Sequence, residues 1–153
     1  MKRFFVVLIL TLVIASGLTY FMPREFSSYV ADIAPYGTVS VYCRQTELPG
    51  IVNGNGHIVE CRVDELQTVL KKCQNVDGVS VTFDGNKEDV DRICKMLNVT
   101  VTDSYILCGI EIMCGLSSKV SGSVVLDGRN VNVQIAYKDG EVTVGSPLIL
   151  GSY

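Results

Sequence analysis

"GSVVLDGRNVNVQIAYKDGEVTVG", Gly122 to Gly145, holds three β-type runs separated by two aspartate-glycine dipeptides, Asp127-Gly128 and Asp139-Gly140. Asp-Gly supplies the positive-φ positions of tight hairpin turns, so the stretch predicts an antiparallel C-terminal meander. In the middle run Val131, Val133, Ile135 and Tyr137 alternate with Asn130, Asn132, Gln134 and Ala136. Such alternation predicts one buried and one wet sheet face. Asn130, Asn132 and Gln134 are therefore the candidate polar binding face.

The cover for the apolar face lies upstream. In "VDELQTVLKKCQ", Val63, Leu66, Val69, Leu70 and Cys73 follow helical spacing, and in "NKEDVDRICKMLN" Val90, Ile93, Cys94 and Leu97 do the same. Asn86 is suited to cap the second helix. Asp64, Glu65, Glu88 and Asp89 at the helix starts, with Lys71, Lys72 and Lys95 near the ends, complement the helix dipoles. "TVSVYCR", "HIVEC", "GVSVTF" and "NVTVTD" read as further strands. The pattern predicts an α+β fold: a mostly antiparallel sheet with two short helices packed on one face.

The chain opens with Lys2 and Arg3 ahead of an uncharged, mostly apolar run from Phe4 to Phe21. As a helix these 18 residues span about 27 Å, slightly less than a hydrocarbon core of about 30 Å. Residues 1–21 are thus a membrane anchor, or a signal peptide cleaved after the small-x-small pair Val13 and Ala15. Positive-inside orientation then leaves the rest outside the plasma membrane, tethered by a single pass or secreted. Residues 22–36, with Pro23 and Pro35 and no sustained period, read as a stalk, and 37–153 as the exported domain. The full chain's length of 153 residues suits one domain with a short appendage.

With Lys2 and Arg3 set apart from the 13 basic residues, the 16 acidic ones leave the exported part at a net charge of about −5. Such a surface does not attract nucleic acid.

Six cysteines stand at Cys43, Cys61, Cys73, Cys94, Cys108 and Cys114, none in a CxxC arrangement. An even count in an exported chain leaves disulfides between elements open. "YILCGIEIMCGL", Tyr105 to Leu116, reads as one strand with Ile106, Cys108, Ile110, Ile112 and Cys114 on a shared inner face. Six residues at roughly 3.3 Å keep Cys108 and Cys114 about 20 Å apart, too far to bond to each other.

His57 is the single histidine, so a three-histidine zinc site is excluded and any Cys-His pair must use it. After Asn53-Gly54-Asn55-Gly56 it reads as a surface residue at a strand start. The glycines there precede a strand, unlike a dinucleotide fingerprint. "DGNKEDVDRICK" has the odd acidic spacing of a calcium loop but puts Asp89 where the turn glycine belongs and Lys95 where the bidentate glutamate belongs. No metal or cofactor is expected. Asn98-Val99-Thr100 is a glycosylation sequon of use only in a eukaryotic secretory pathway.

"NVQIAYKDGEVTVGSPLILGSY", with its Asn132–Tyr137 strand, the Gly145-x-Pro147-x-Ile149 segment and terminal Tyr153, resembles the YwmB-like proteins of Firmicutes. The resemblance implies a TATA-box-binding-protein-like fold, a curved sheet with helices on one face. It implies shape and not DNA contact, and brings no catalytic residues.

These readings point to a non-enzymatic envelope domain, membrane-tethered or secreted, that binds another envelope protein or a glycan. "PLIL" before the terminus is expected to dock on its own fold. The alternatives are an envelope hydrolase using a carboxylate pair, which needs no local motif, and a thiol redox protein, which needs an exposed low-pKa cysteine.

Overall fold

The computed structural model describes residues 23–149. The segment predicted to be an anchor or signal peptide, 1–21, lies outside them. The strands are β1 (Thr38–Thr46), β2 (Ile51–Asn53), β3 (Gly56–Arg62), β4 (Cys73–Asp84), β5 (Val99–Leu107), β6 (Ile110–Ser117), β7 (Val124–Leu126), β8 (Arg129–Val131), β9 (Val133–Lys138) and β10 (Glu141–Ser146). The helices are α1 (Val30–Ile33), α2 (Leu66–Lys72) and α3 (Lys87–Leu97), with single 3-10 turns at Phe26–Ser28 and Val63–Glu65.

Eight strands form one antiparallel sheet in the order β2-β3-β1-β4-β10-β9-β6-β5. The fold is α+β, as the sequence predicts. In β1 the alternation is direct: Val39, Val41 and Cys43 are fully buried, while Ser40 and Tyr42 between them are half-buried. Leu66 and Val69 of α2 and Val90, Ile93 and Leu97 of α3 join that face in one core with Val79, Val81, Ile135, Val142 and Val144.

Helix α3 starts where its sequence says it should. The Asn86 side chain accepts from the Glu88 and Asp89 amides, and the Asp89 carboxylate accepts from the Asn86 amide in return. This reciprocal box satisfies amides that the first helical turn leaves without partners. Asn98, left-handed at φ 51°, ends the helix. Burying Ile93 alone contributes about 2 kcal/mol.

Three expectations need correction. First, residues 23–36 are not a stalk: Phe26, Val30, Ile33 and Ala34 are buried in the helix-side core, and Arg24 exchanges backbone hydrogen bonds with Lys119 and Ser121. Four apolar side chains spaced along this segment suit a short helix laid on the sheet better than a solvated linker.

Second, the C-terminal meander is divided. The turns are as predicted, with Asp127-Gly128 at φ 47° and 77° and Asp139-Gly140 at φ 51° and 88°. The middle run, however, breaks at Asn132, so β8 pairs with β7 in a separate two-stranded sheet while β9 lies between β10 and β6.

Third, Tyr105–Leu116 is a hairpin and not one strand. Cys108 (φ 51°) and Gly109 (φ 82°) make a two-residue turn, with Leu107 paired to Ile110 across it. Positive φ at both central positions is the type I′ geometry that matches strand twist. Cys108 is therefore exposed at the tip while Cys114 is fully buried in β6.

Candidate functional site

Strand register gives the molecule two unlike ends. Glu111 pairs with Tyr137, Glu141 with Lys138 and with Asp84, and Thr38 with Thr82. One end of the sheet thus gathers the β5–β6 tip, the β9–β10 turn, the end of β4 and the entry to β1. Arg24 meets Val120 just past the far end of β6. That strand's eight residues set the two ends about 25 Å apart.

At the first end a cleft of about 490 Å³ is lined by Tyr36, Thr38, Thr82, Asp84, Arg92 and Glu141, among others. Tyr36 is 98% exposed at its rim. Asp84 and Glu141 are direct cross-strand partners, and like charges so placed repel. Asp89 is already engaged. The Asn86 amide and the Arg92 guanidinium, 3.2 Å away, hold its carboxyl below the usual carboxylate range. The second Arg92 contact, to the Ile33 carbonyl, fixes α3 to α1. Behind the cleft the Thr82 and Thr143 hydroxyls share a hydrogen bond of 2.9 Å.

At the same end of the sheet, across β9 from the cleft, the β5–β6 tip projects Ile106, 73% exposed, with Leu107 and Tyr105 exposed next to it. Strand β5 is an edge of the large sheet. The Arg129 guanidinium donates to the Thr102 carbonyl and closes one outward-facing backbone group of that edge. A shift of register between Val101 and Asp103 distorts it further.

The candidate polar face is not wet. Asn132 and Gln134 are buried, as is Ala136; Asn130, on the β7–β8 hairpin, is exposed. That hairpin and the tail cover the sheet here: Leu126, Leu148 and Ile149 pack on Ile110, Ile112, Cys114, Val131 and Ala136. The two polar side chains have structural work. Gln134 accepts from the Ile149 amide at 3.0 Å, and Asn132 clamps the loop after β6. Part of the "PLIL" segment is docked on its own sheet.

All six cysteines are free thiols. Burial, then the neighbouring Cys73 thiol, pushes Cys43 up to about 11; burial, then Glu65, does the same to Cys61. Burial also raises Cys94 and Cys114. Four thiols are thus driven away from the reactive thiolate. His57, half-buried in β3, is the cross-strand partner of Cys43, so sequence reasoning named both halves of a Cys-His pair without joining them. Cys43 is fully buried and its thiol is held protonated, which leaves the pair without a nucleophile. Among the described residues no three of histidine, cysteine, aspartate and glutamate converge to hold a metal ion.

Tyr36 and the Asp84–Glu141 pair escaped sequence reasoning because only β4–β10 register brings the carboxylates together. The Cys108-Gly109 turn had a local signal, a glycine between two apolar runs. No family model, curated protein or solved structure matches this chain.

Proposed function

We propose that the chain is an envelope domain, tethered outside the plasma membrane by residues 4–21 or secreted, that binds another envelope protein or a glycan without catalysis. The observation that carries this reading is the contrast between the ends. Described chain begins beside Val120, where Arg24 is fastened at both its amide and its carbonyl. The exposed Tyr36 ring and the apolar Ile106–Leu107 tip lie at the other end with the Asp84–Glu141 cleft, whereas the cleft of about 610 Å³ at the Arg24 end, lined by Glu25, Ser27, Asp77 and Ser123 among others, carries no exposed aromatic ring among the described residues. A domain held near a membrane at one end presents such a surface outward, where an aromatic ring and apolar prong suit recognition.

Membership of the YwmB-like proteins belongs to the same proposal. Its support is the C-terminal resemblance together with a large sheet carrying helices against one face. In the thiol redox alternative Cys108, the one exposed cysteine, is the sulfur a partner could reach. The hydrolase alternative has one specific observation in its favour, the Asp84–Glu141 pair in the cleft.

The test is binding of the full chain in detergent micelles to isolated envelope fractions, protein and glycan separately. Binding should be saturable and should fall on Tyr36→Ala or Ile106→Ser, with Glu60→Gln on the far part of the sheet unchanged. Retention by neither fraction, or retention unchanged by both variants, sinks the reading. Hydrolysis of the glycan fraction that disappears in Asp84→Asn and Glu141→Gln would establish the alternative.

A further inference from the structure

The β2–β3 hairpin carries two asparagine-glycine bonds in succession, Asn53-Gly54 and Asn55-Gly56, and its geometry makes them unequal. Asn53 and Gly56 are the pair that closes the turn. Gly54, at φ 58°, is the first of its two central residues, and Asn55, which has no positive φ, is the second. This is the type II′ arrangement, with glycine at the first central position. In such a hairpin the closing pair exchanges hydrogen bonds, so the Gly56 amide is engaged by the Asn53 carbonyl. The same carbonyl takes the Tyr42 hydroxyl at 3.3 Å. Gly54, in contrast, is exposed and its amide donates no backbone hydrogen bond, and a methyl group there would meet nothing within 4 Å.

We infer that Asn53 is a site of spontaneous modification, converted with water as co-reactant to a mixture of aspartate and isoaspartate, and that Asn55 is spared. The Gly54 backbone nitrogen, after losing its proton to solvent base, attacks the Asn53 side-chain carbon. The bond from that carbon to the amide nitrogen breaks, ammonia leaves, and a five-membered imide joins the two residues. Water then opens the ring at either carbonyl. Opening at the side chain gives aspartate, and opening at the main chain gives isoaspartate. One amide and one water become one carboxyl and one ammonia.

Glycine at the attacking position removes the Cβ that would crowd the ring. An engaged amide must first open, which is what protects Asn55. The Asn53 side chain is free to turn onto the Gly54 nitrogen without opening of the strand pair, because Asn53, with Ile51 and Val52, is exposed on the three-residue edge strand β2. The product adds a negative charge, and in the isoaspartate an extra backbone carbon, beside exposed Ile51 and Val52. Both changes oppose pairing at an edge strand.

The experiment ages the full chain in detergent micelles, in heavy-oxygen water at mildly alkaline pH, and maps peptides by mass spectrometry with an isoaspartate-resolving separation. Heavy oxygen should enter Asn53 roughly tenfold faster than Asn55, a ratio equal to about 1.4 kcal/mol. Buried Asn132 should stay unlabelled over the same period. Asn53→Gln should reduce labelling at this turn to the slow Asn55 rate, and Asn55→Gln should leave the fast labelling in place. Labelling of Asn55 before Asn53, or of exposed Asn130 before either, overturns the inference.

Discussion

Asn132 Oδ1 accepts the Ser117 amide hydrogen at 2.6 Å while its Nδ2 donates to the Ser117 carbonyl at 2.9 Å and to the Val120 carbonyl at 2.8 Å. One side chain thus satisfies the backbone of the loop that leaves β6, with Asn132 and Ser117 both buried. Ser117 extends the clamp by donating to the Leu97 carbonyl at the end of α3. A buried group left unpaired costs about 1–3 kcal/mol, so Asn132→Ala should destabilise the domain by about 3 kcal/mol in urea unfolding. Asn132→Asp keeps the acceptor but sets a buried carboxylate oxygen against the Ser117 and Val120 carbonyls, so near neutral pH it should be no more stable than the alanine variant. A loss under about 1 kcal/mol for the alanine variant would mean that water replaces the clamp.

This clamp shows where the sequence was legible and where it was not. Alternation from Asn130 to Tyr137 correctly marks Val133 and Ile135 as core, because period two is a property of the strand itself. It says nothing about a second layer on the other face. Leu126, Leu148 and Ile149 provide that layer, and it turns two residues expected to be wet into buried, hydrogen-bonded ones. The caps and apolar stripe of α3 were legible for the opposite reason: Asn86, Asp89, Val90, Ile93 and Leu97 act within one helix. The cleft was not, since Asp84 and Glu141 are far apart in sequence and meet only through β4–β10 register.

Cys108 occupies a left-handed turn position that favours asparagine or glycine. Cys108→Asn creates the preferred Asn-Gly turn and should stabilise the β5–β6 hairpin by about 0.5–1 kcal/mol. Urea denaturation of the two proteins under reducing conditions measures it. Destabilisation by the substitution would show that the cysteine side chain has a role beyond the turn.

Exposure separates the thiols as well. In the native protein, iodoacetamide should modify Cys108 first, because it is exposed, whereas Cys43 and Cys114 are fully buried and burial raises both of their thiol pKa values. Peptide mapping against time reads the order. Equal rates at Cys108 and Cys114 would be incompatible with the hairpin described above.

Asp89 gives the acid side of the stability profile a specific shape. Its folded pKa is lowered first by the Asn86 amide and then by Arg92, with partial burial opposing them. Because the folded value lies below the unfolded one, the carboxylate's contribution is fully present above the ordinary aspartate range. It is lost as pH falls through the depressed folded value. Asp89→Asn should therefore flatten the acid limb of stability against pH and leave its neutral-to-basic shape unchanged. An unaltered acid limb would remove Asp89 from the account.

A Cβ built at Gly145 falls 2.5 Å from the Leu148 carbonyl oxygen and 2.7 Å from the Ile149 Cα, distances that no packed side chain holds. Both obstacles are backbone, so the tail must move away as a unit. Gly145→Ala should cost about 1–3 kcal/mol, the range for overpacked sites. Its sharper signature is local. Lifting Leu148 and Ile149 frees Gln134 from the Ile149 amide and opens the cover over Cys114, Ile110 and Ile112. Cys114 should then react with iodoacetamide in the native state, while Cys43 beneath the helices stays inert. Gly140→Ala is the control. It strains a turn at φ 88° with open space around it, and should lower stability without exposing Cys114. If the two variants behave alike, global opening and not tail displacement is the cause.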